Sequence, residues 1–250
     1  MQNVMSLMYA EHLKNKRSMS MTILLVGSFL GLLLGTFLYT ANKQVFIQSH
    51  TQWLALWGES NLFASQVFIP LFLGIIVANN IKNELDNNNL FRIVVSPMKV
   101  THLVMAKWLY VAFISLINQV VGFLIFVIMG YLLHLPGSVS MIQFVSWAIL
   151  GWFGSLGVIA IQIWIAIKVK NFTTSLLVNF GTIIFGLIIS IINSTLGDFY
   201  PYNQIMIGLH AKSLISFDHV QIVVFLLVAF LSTIVGLVGA GGAVKRIILK

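Results

Sequence analysis

The sequence contains no cysteine, which excludes disulfides and thiolate chemistry within the chain. Charge is scarce: charged residues make up 8% of the 250 residues, against 59% hydrophobic. A soluble domain of this length cannot hide so much apolar surface, so the solvent for its surface must be lipid. No H-E-x-x-H occurs, which argues against a zinc protease within the membrane. There is no phosphate-binding loop either, and no charged residue near the middle of any long apolar stretch.

What the chain does have is six such stretches. A spanning helix needs about 20 apolar residues, and the sequence predicts spans at 19–41, 61–79, 108–133, 141–167, 173–192 and 220–243. The fold class is therefore all-α: a polytopic membrane protein with six transmembrane helices and a single membrane domain over 1–250. No room is left for a folded soluble domain. The first stretch is too long for the apolar region of a secretory signal and lacks a small-residue cleavage site after it.

The bases orient the bundle. Of 14 Lys and Arg residues, Lys43 and Lys212 fall on one side of the predicted spans; the other twelve fall on the opposite side. The positive-inside rule places that richer side, and both termini, in the cytoplasm. The net charge of +8 follows from topology, and the bases are spread over short loops, so no nucleic-acid partner is expected.

Residues 1–18 read as an interfacial helix. Val4, Met5, Met8 and Leu13 can share an apolar side, while Glu11, Lys14, Lys16 and Arg17 supply the polar one, with bases near anionic membrane lipid. A simple topogenic flank is the alternative. Gly27, Gly31 and Gly35 recur at a spacing of four in span one, and Ser232, Gly236 and Ala240 do so in span six. Such faces permit close helix approach, within the subunit or across a dimer. Pro70 predicts a bend in span two, for gating or for packing, with Gln66 placed to satisfy the freed carbonyl.

The segment NNIKNELDNNNLFRIVVSPMKVTHLVMAKW is the longest connection on the basic side. Leu90, Phe91, Ile93, Val94 and Val95 are costly to leave in water. Ser96 is a good N-cap and Pro97 fits the first helical position, so a helix is expected to start there and run into span three. A protein contact through residues 80–107 is favoured over a plain loop. On the other side, Asp198, Phe199, Tyr200, Pro201 and Tyr202 precede an apolar run too short to span, which is expected to dip into the leaflet and return.

Within the spans, Asn118, Gln119, Gln162 and Asn179 are polar and neutral. They either bond helix to helix or line a substrate path. Ser155, flanked by Gly154 and Gly157, superficially suggests a nucleophile, but no histidine lies within a span to serve as its base. The histidines on the sparsely charged side are too scattered to suggest a metal site. A carrier driven by protons or sodium commonly places ionisable groups in the membrane. None is evident, which favours a permease driven by a separate ATPase.

Glu84, then Ser96 and Pro97, then Lys107 at the entry to span three follow an order of acid, proline and base. With six spans, an amphipathic start and a hydrophobic outer segment before span six, the chain resembles a type-2 ABC transporter permease over nearly its whole length. The run Asn87 to Asn89 replaces the glycine-containing stretch often seen after the acid. The start AEHLKNKRS is similar to the lantibiotic and bacteriocin immunity branch.

The resemblance implies a connecting helix at the membrane surface, a coupling helix over residues 84–95 that sits on the ATPase, and re-entrant helices over 197–209 within an outer segment 197–219. It implies a cytoplasmic ABC ATPase subunit as partner, carrying the ATP and magnesium that this chain does not bind. A second copy, or a related permease, would complete the transporter. Glu84, Asp86, Leu90, Phe91 and Arg92 are the expected coupling residues. The expected function is a non-enzymatic permease of an exporter in the bacterial plasma membrane that expels antimicrobial peptides or other amphipathic compounds. Export of a lipid-linked or small hydrophobic compound, or a non-transport membrane scaffold, are the alternatives.

Overall fold

The computed structural model describes residues 4–15, 19–86, 99–136 and 141–248. All regular structure among them is helical. Helix α1 (Val4–Asn15) precedes six long helices. The first is α2 (Ser20–Ala41). After the short α3 (Lys43–Gln48), the second is continuous in three parts: α4 (Gln52–Phe63), a π-turn (Ala64–Phe68) and α5 (Ile69–Asp86). The third to fifth are α6 (Val100–Leu132), α7 (Met141–Val169) and α8 (Phe172–Ile192). Short α9 (Ser194–Asp198), a 3-10 turn (Pro201–Asn203) and α10 (Gln204–Gly208) lead to the sixth, α11 (His219–Ile248).

The second span departs most from expectation. It begins at Gln52, well before the expected 61. Gln52, Glu59, Ser60 and Asn61 interrupt the apolar run in sequence, but Gln52, Ser60 and Asn61 are buried against protein and Glu59 is partly buried. Pro70 supplies the expected break. A π-turn forms immediately before it, with the Ile69 N–H bonding to the Ala64 carbonyl. Gln66 does not serve the kink: its Nε2 donates to Asn203 Oδ1 at 2.9 Å. Asn179 of α8 donates its Nδ2 to the Pro70 carbonyl at 3.2 Å, which ties α8 to the second span at the proline. The helix into span three is seen from Val100, with Lys99 extended before it; Ser96 and Pro97 lie outside the described residues.

The glycine faces pack within the chain. A Cβ on Gly31 would lie 2.7 Å from the Ala64 Cα, and Cβ atoms on Gly27 and Gly35 would run into Phe72 and the backbone at Glu59. Span one therefore lies directly on span two along this face. Gly27, Gly31 and Gly35 thus serve the first of the two expected uses, close packing within the subunit. In the same way Gly236 lies against α7, where an added Cβ would sit 2.6 Å from the Ile161 nitrogen.

One end of the bundle gathers the two ends of the chain. Glu11 meets Lys107 there, Lys82 lies over the Phe172 ring, and Arg246 shares a groove with Lys168. At the opposite end, Trp53, Trp57, Phe126, Phe144 and Trp147 pack as a buried aromatic cluster, and the Trp57 indole N–H donates to the Leu209 carbonyl at 2.7 Å.

Candidate functional site

Four charges close into a ring at the terminal end. Lys107 Nζ lies 3.0 Å from Glu11 Oε1 and 3.1 Å from Glu84 Oε1. Lys14 Nζ reaches the same two oxygens at 3.3 and 2.8 Å. Acids and bases alternate, so each charge has two opposite neighbours. Glu11, Glu84 and Lys107 are buried; the Lys14 side chain is 49% exposed and forms the lid. Burial alone disfavours the charged form of Lys14. The bond to Glu84 and the fields of Glu11 and Glu84 outweigh it, holding the ammonium above its ordinary value of 10.5.

The ring corrects the expected orientation of α1. Glu11 and Lys14 were both expected on a polar side lying in the headgroup layer, with the bases near anionic lipid. Instead Glu11 and Asn15 turn inward, while Met5, at 79% exposed, Tyr9 and Leu13 turn outward. A carboxylate buried without a partner is costly, and Lys107 provides the partner from α6.

The ring also changes the reading of Glu84. This carboxylate was expected at a rim contact with an ATPase. It is 4% exposed and engaged by both lysines. It is a bracing residue, joining the end of α5 to α1 and α6. Asp86, the last residue of α5, is exposed. Leu90, Phe91 and Arg92 lie outside the described residues. The two ends of the segment that contains them, α5 and the start of α6, are thus tied by one pair of charges.

Two of the four polar residues of the spans, Gln162 and Asn179, bond helix to helix. Gln162 is fully buried; its Oε1 accepts from the Tyr202 hydroxyl at 3.0 Å and its Nε2 donates to Ser175 Oγ at 3.3 Å. Asn179 is likewise fully buried and donates to the Pro70 carbonyl. Asn118 is buried with its Oδ1 unpaired, and Gln119 is partly exposed. Gln162 and Asn179 therefore do not line an open path. Ser155, also buried, pairs with Ser115 at 2.9 Å and joins α7 to α6.

Between α8 and α11 the chain folds deep into the bundle. Asn203 receives Gln66 and donates to Ser190 Oγ at 2.8 Å and to the Gly197 carbonyl at 3.0 Å. The backbone at Gln204 and Ile205 crosses Gly154, where any Cβ would collide with it. Gly154 lies near the middle of α7, so the short helices penetrate about half of the bundle. Sequence reading missed Asn203 and Gln204 as the residues that satisfy this irregular backbone. Their polarity within an apolar run was the available signal.

Among the described residues, six helices are long and apolar enough to cross a membrane, and the connection between the second and third is braced by the ion ring. Comparison with curated proteins finds no match. Residues 7–193, three quarters of the chain, match the pattern of the ABC-2 family transporter proteins, a match that includes the whole charge ring and five of the six spans. The chain belongs to the ABC-2 transporter family, as one of its multi-pass membrane components.

Proposed function

We propose that this chain is the permease subunit of an ATP-driven exporter, and that its cargo is amphipathic, with antimicrobial peptides as the leading class. A cytoplasmic ABC ATPase binds the coupling element, residues 84–95 within the segment 80–107, and a second permease, identical or related, completes the transporter. ATP and magnesium act in the ATPase. The basic end of the bundle faces the cytoplasm of a bacterial cell, and residues 197–219 form the re-entrant element on the outer side.

The observation that carries this reading is the ion ring. It ties the surface helix α1 to both ends of the proposed coupling segment. A push on that segment is then transmitted to three helices together rather than absorbed by one flexible loop. Rigid elements joined by such a network are what coupling between sites requires.

The test is co-expression with the candidate ATPase and a pull-down from detergent, followed by a peptide-sensitivity assay in cells. Partner binding and peptide protection that both fall when Phe91 is truncated support the reading. Partner binding without protection from peptides redirects the cargo to a lipid-linked or small hydrophobic compound. Absence of any ATPase partner redirects the protein to a membrane scaffold.

A further inference from the structure

A second site lies at the opposite end from the ion ring. Between α9, α10 and the start of α11 there is a cavity of about 430 Å³. Its apolar wall includes Phe199, Met206, Phe217 and Phe225, and its floor carries Gln204 and His210. Both floor residues are more than nine-tenths buried, and each keeps one polar atom without a hydrogen-bond partner: Gln204 Oε1 and His210 Nε2. Buried polar atoms left unpaired are costly and need an explanation.

The donors of these side chains are already in use. Gln204 Nε2 donates to the carbonyls of Asp198 and Tyr200, at 2.7 and 3.3 Å. His210 Nδ1 lies 2.9 Å from the Gly208 carbonyl, which assigns the ring proton to Nδ1 and leaves Nε2 an acceptor. The ring is clamped between Trp147 and Phe217, with centroids at 4.7 and 4.2 Å. Asp198 adds a carboxylate to the lining. The cation of the lining, Lys212, is directed to the Ser190 carbonyl at 3.1 Å.

Two buried unpaired acceptors and an exposed carboxylate share this lining, and together they suit a ligand with several donors and positive charge. We infer that this cavity binds the primary ammonium group of an amphipathic molecule, with the apolar body lying along Phe199, Phe217 and Phe225. An ammonium has three N–H donors, enough for Gln204 Oε1, His210 Nε2 and Asp198. Asp198 is exposed by surface area, yet partial desolvation by its apolar neighbours holds its carboxyl above the ordinary 3.8 despite the opposing pull of Lys212, and an incoming cation relieves that penalty. A lysine-bearing amphipathic peptide and an aminophospholipid headgroup both present this chemistry. The site rests on its own geometry and stands whichever cargo the transporter carries.

The test uses the purified full chain in neutral detergent, without ATPase, so that its result is independent of coupling. Octylamine, protonated at neutral pH, is titrated by calorimetry beside octanol, which has the same tail and no charge. Octylamine should bind saturably and at least about tenfold tighter than octanol, the scale of one charge-assisted hydrogen bond. Asp198→Asn, at an exposed position, should remove about tenfold of that preference. His210→Phe, which keeps an aromatic ring against Trp147, should also weaken octylamine and leave octanol unchanged. Should His210→Phe fail to fold, Asp198→Asn decides alone. Equal affinity for octylamine and octanol, or full octylamine affinity in folded Asp198→Asn, overturns the assignment. Competition then identifies the source: displacement by short-chain phosphatidylethanolamine points to lipid, and displacement by a lysine-bearing amphipathic peptide points to peptide.

Discussion

Glu84 and Lys107 stand 3.1 Å apart across the mouth of the segment that joins the second span to the third. Both are buried, and each is held by a second charge from α1. Breaking a buried ion pair from one side leaves the other charge without compensation, which commonly costs about 3–5 kcal/mol.

Lys107→Met should therefore destabilise the purified chain by about 3–5 kcal/mol, since it strands Glu11 and Glu84 with half-exposed Lys14 alone. The double variant Glu84→Gln with Lys107→Met should recover part of that loss. Thermal unfolding in detergent measures both. A Lys107→Met variant as stable as the parent would mean that the ring is not closed in solution.

The alkaline limb of stability should depend on Lys14. Its folded value is raised above 10.5, so its contribution is complete below pH 10.5 and fades as pH rises through the folded value. Lys14→Gln should flatten part of the alkaline fall in melting temperature and leave the profile below pH 9 parallel to the parent. The effect is modest because Lys14 is half exposed and screened by water.

Gly31→Leu should lower stability by about 1–3 kcal/mol or more, because a Cβ there already meets Ala64 and the larger side chain forces α2 off span two. Gly181→Leu provides the control, since nothing lies within 4 Å of a Cβ at that position. Melting temperature distinguishes the two. A Gly31→Leu chain that keeps its stability but no longer self-associates would place the face between copies instead.

Reporter tags test the orientation. Tags at both termini should be protected inside the cell, while tags after His50 or Ser216 should be accessible outside, following the bias of Lys and Arg. Trp53 and Asn203 are unsuitable positions, being buried within the bundle. Termini on opposite faces would defeat the six-span arrangement.

Phe91→Ala should reduce ATPase co-purification and export while leaving membrane insertion intact. Truncating a buried aromatic anchor often costs an interface about 2 kcal/mol or more. Arg92→Ala should have a smaller effect if its charge sits at a solvated rim. Full partner binding and protection in Phe91→Ala would remove the segment from the coupling role.

The sequence by itself determined how many times the chain crosses and which end carries the bases. Hydrophobic length and the distribution of Lys and Arg are properties of the chain that need no partner residue. It also marked Glu84 and Lys107 individually, through their place in the order of acid, proline and base. Only the tertiary structure decided that these two meet, and that Glu11 turns inward to join them, because an ion pair depends on where separate helices dock. The same holds for the glycine face: spacing promised close approach, and Ala64 and Phe72 decided against what. Span two was misjudged at its start because buried Gln52, Ser60 and Asn61 look polar in a hydropathy window while facing protein. The depth of the fold around Gln204 was equally hidden, since irregular backbone survives in a membrane only where other helices satisfy it.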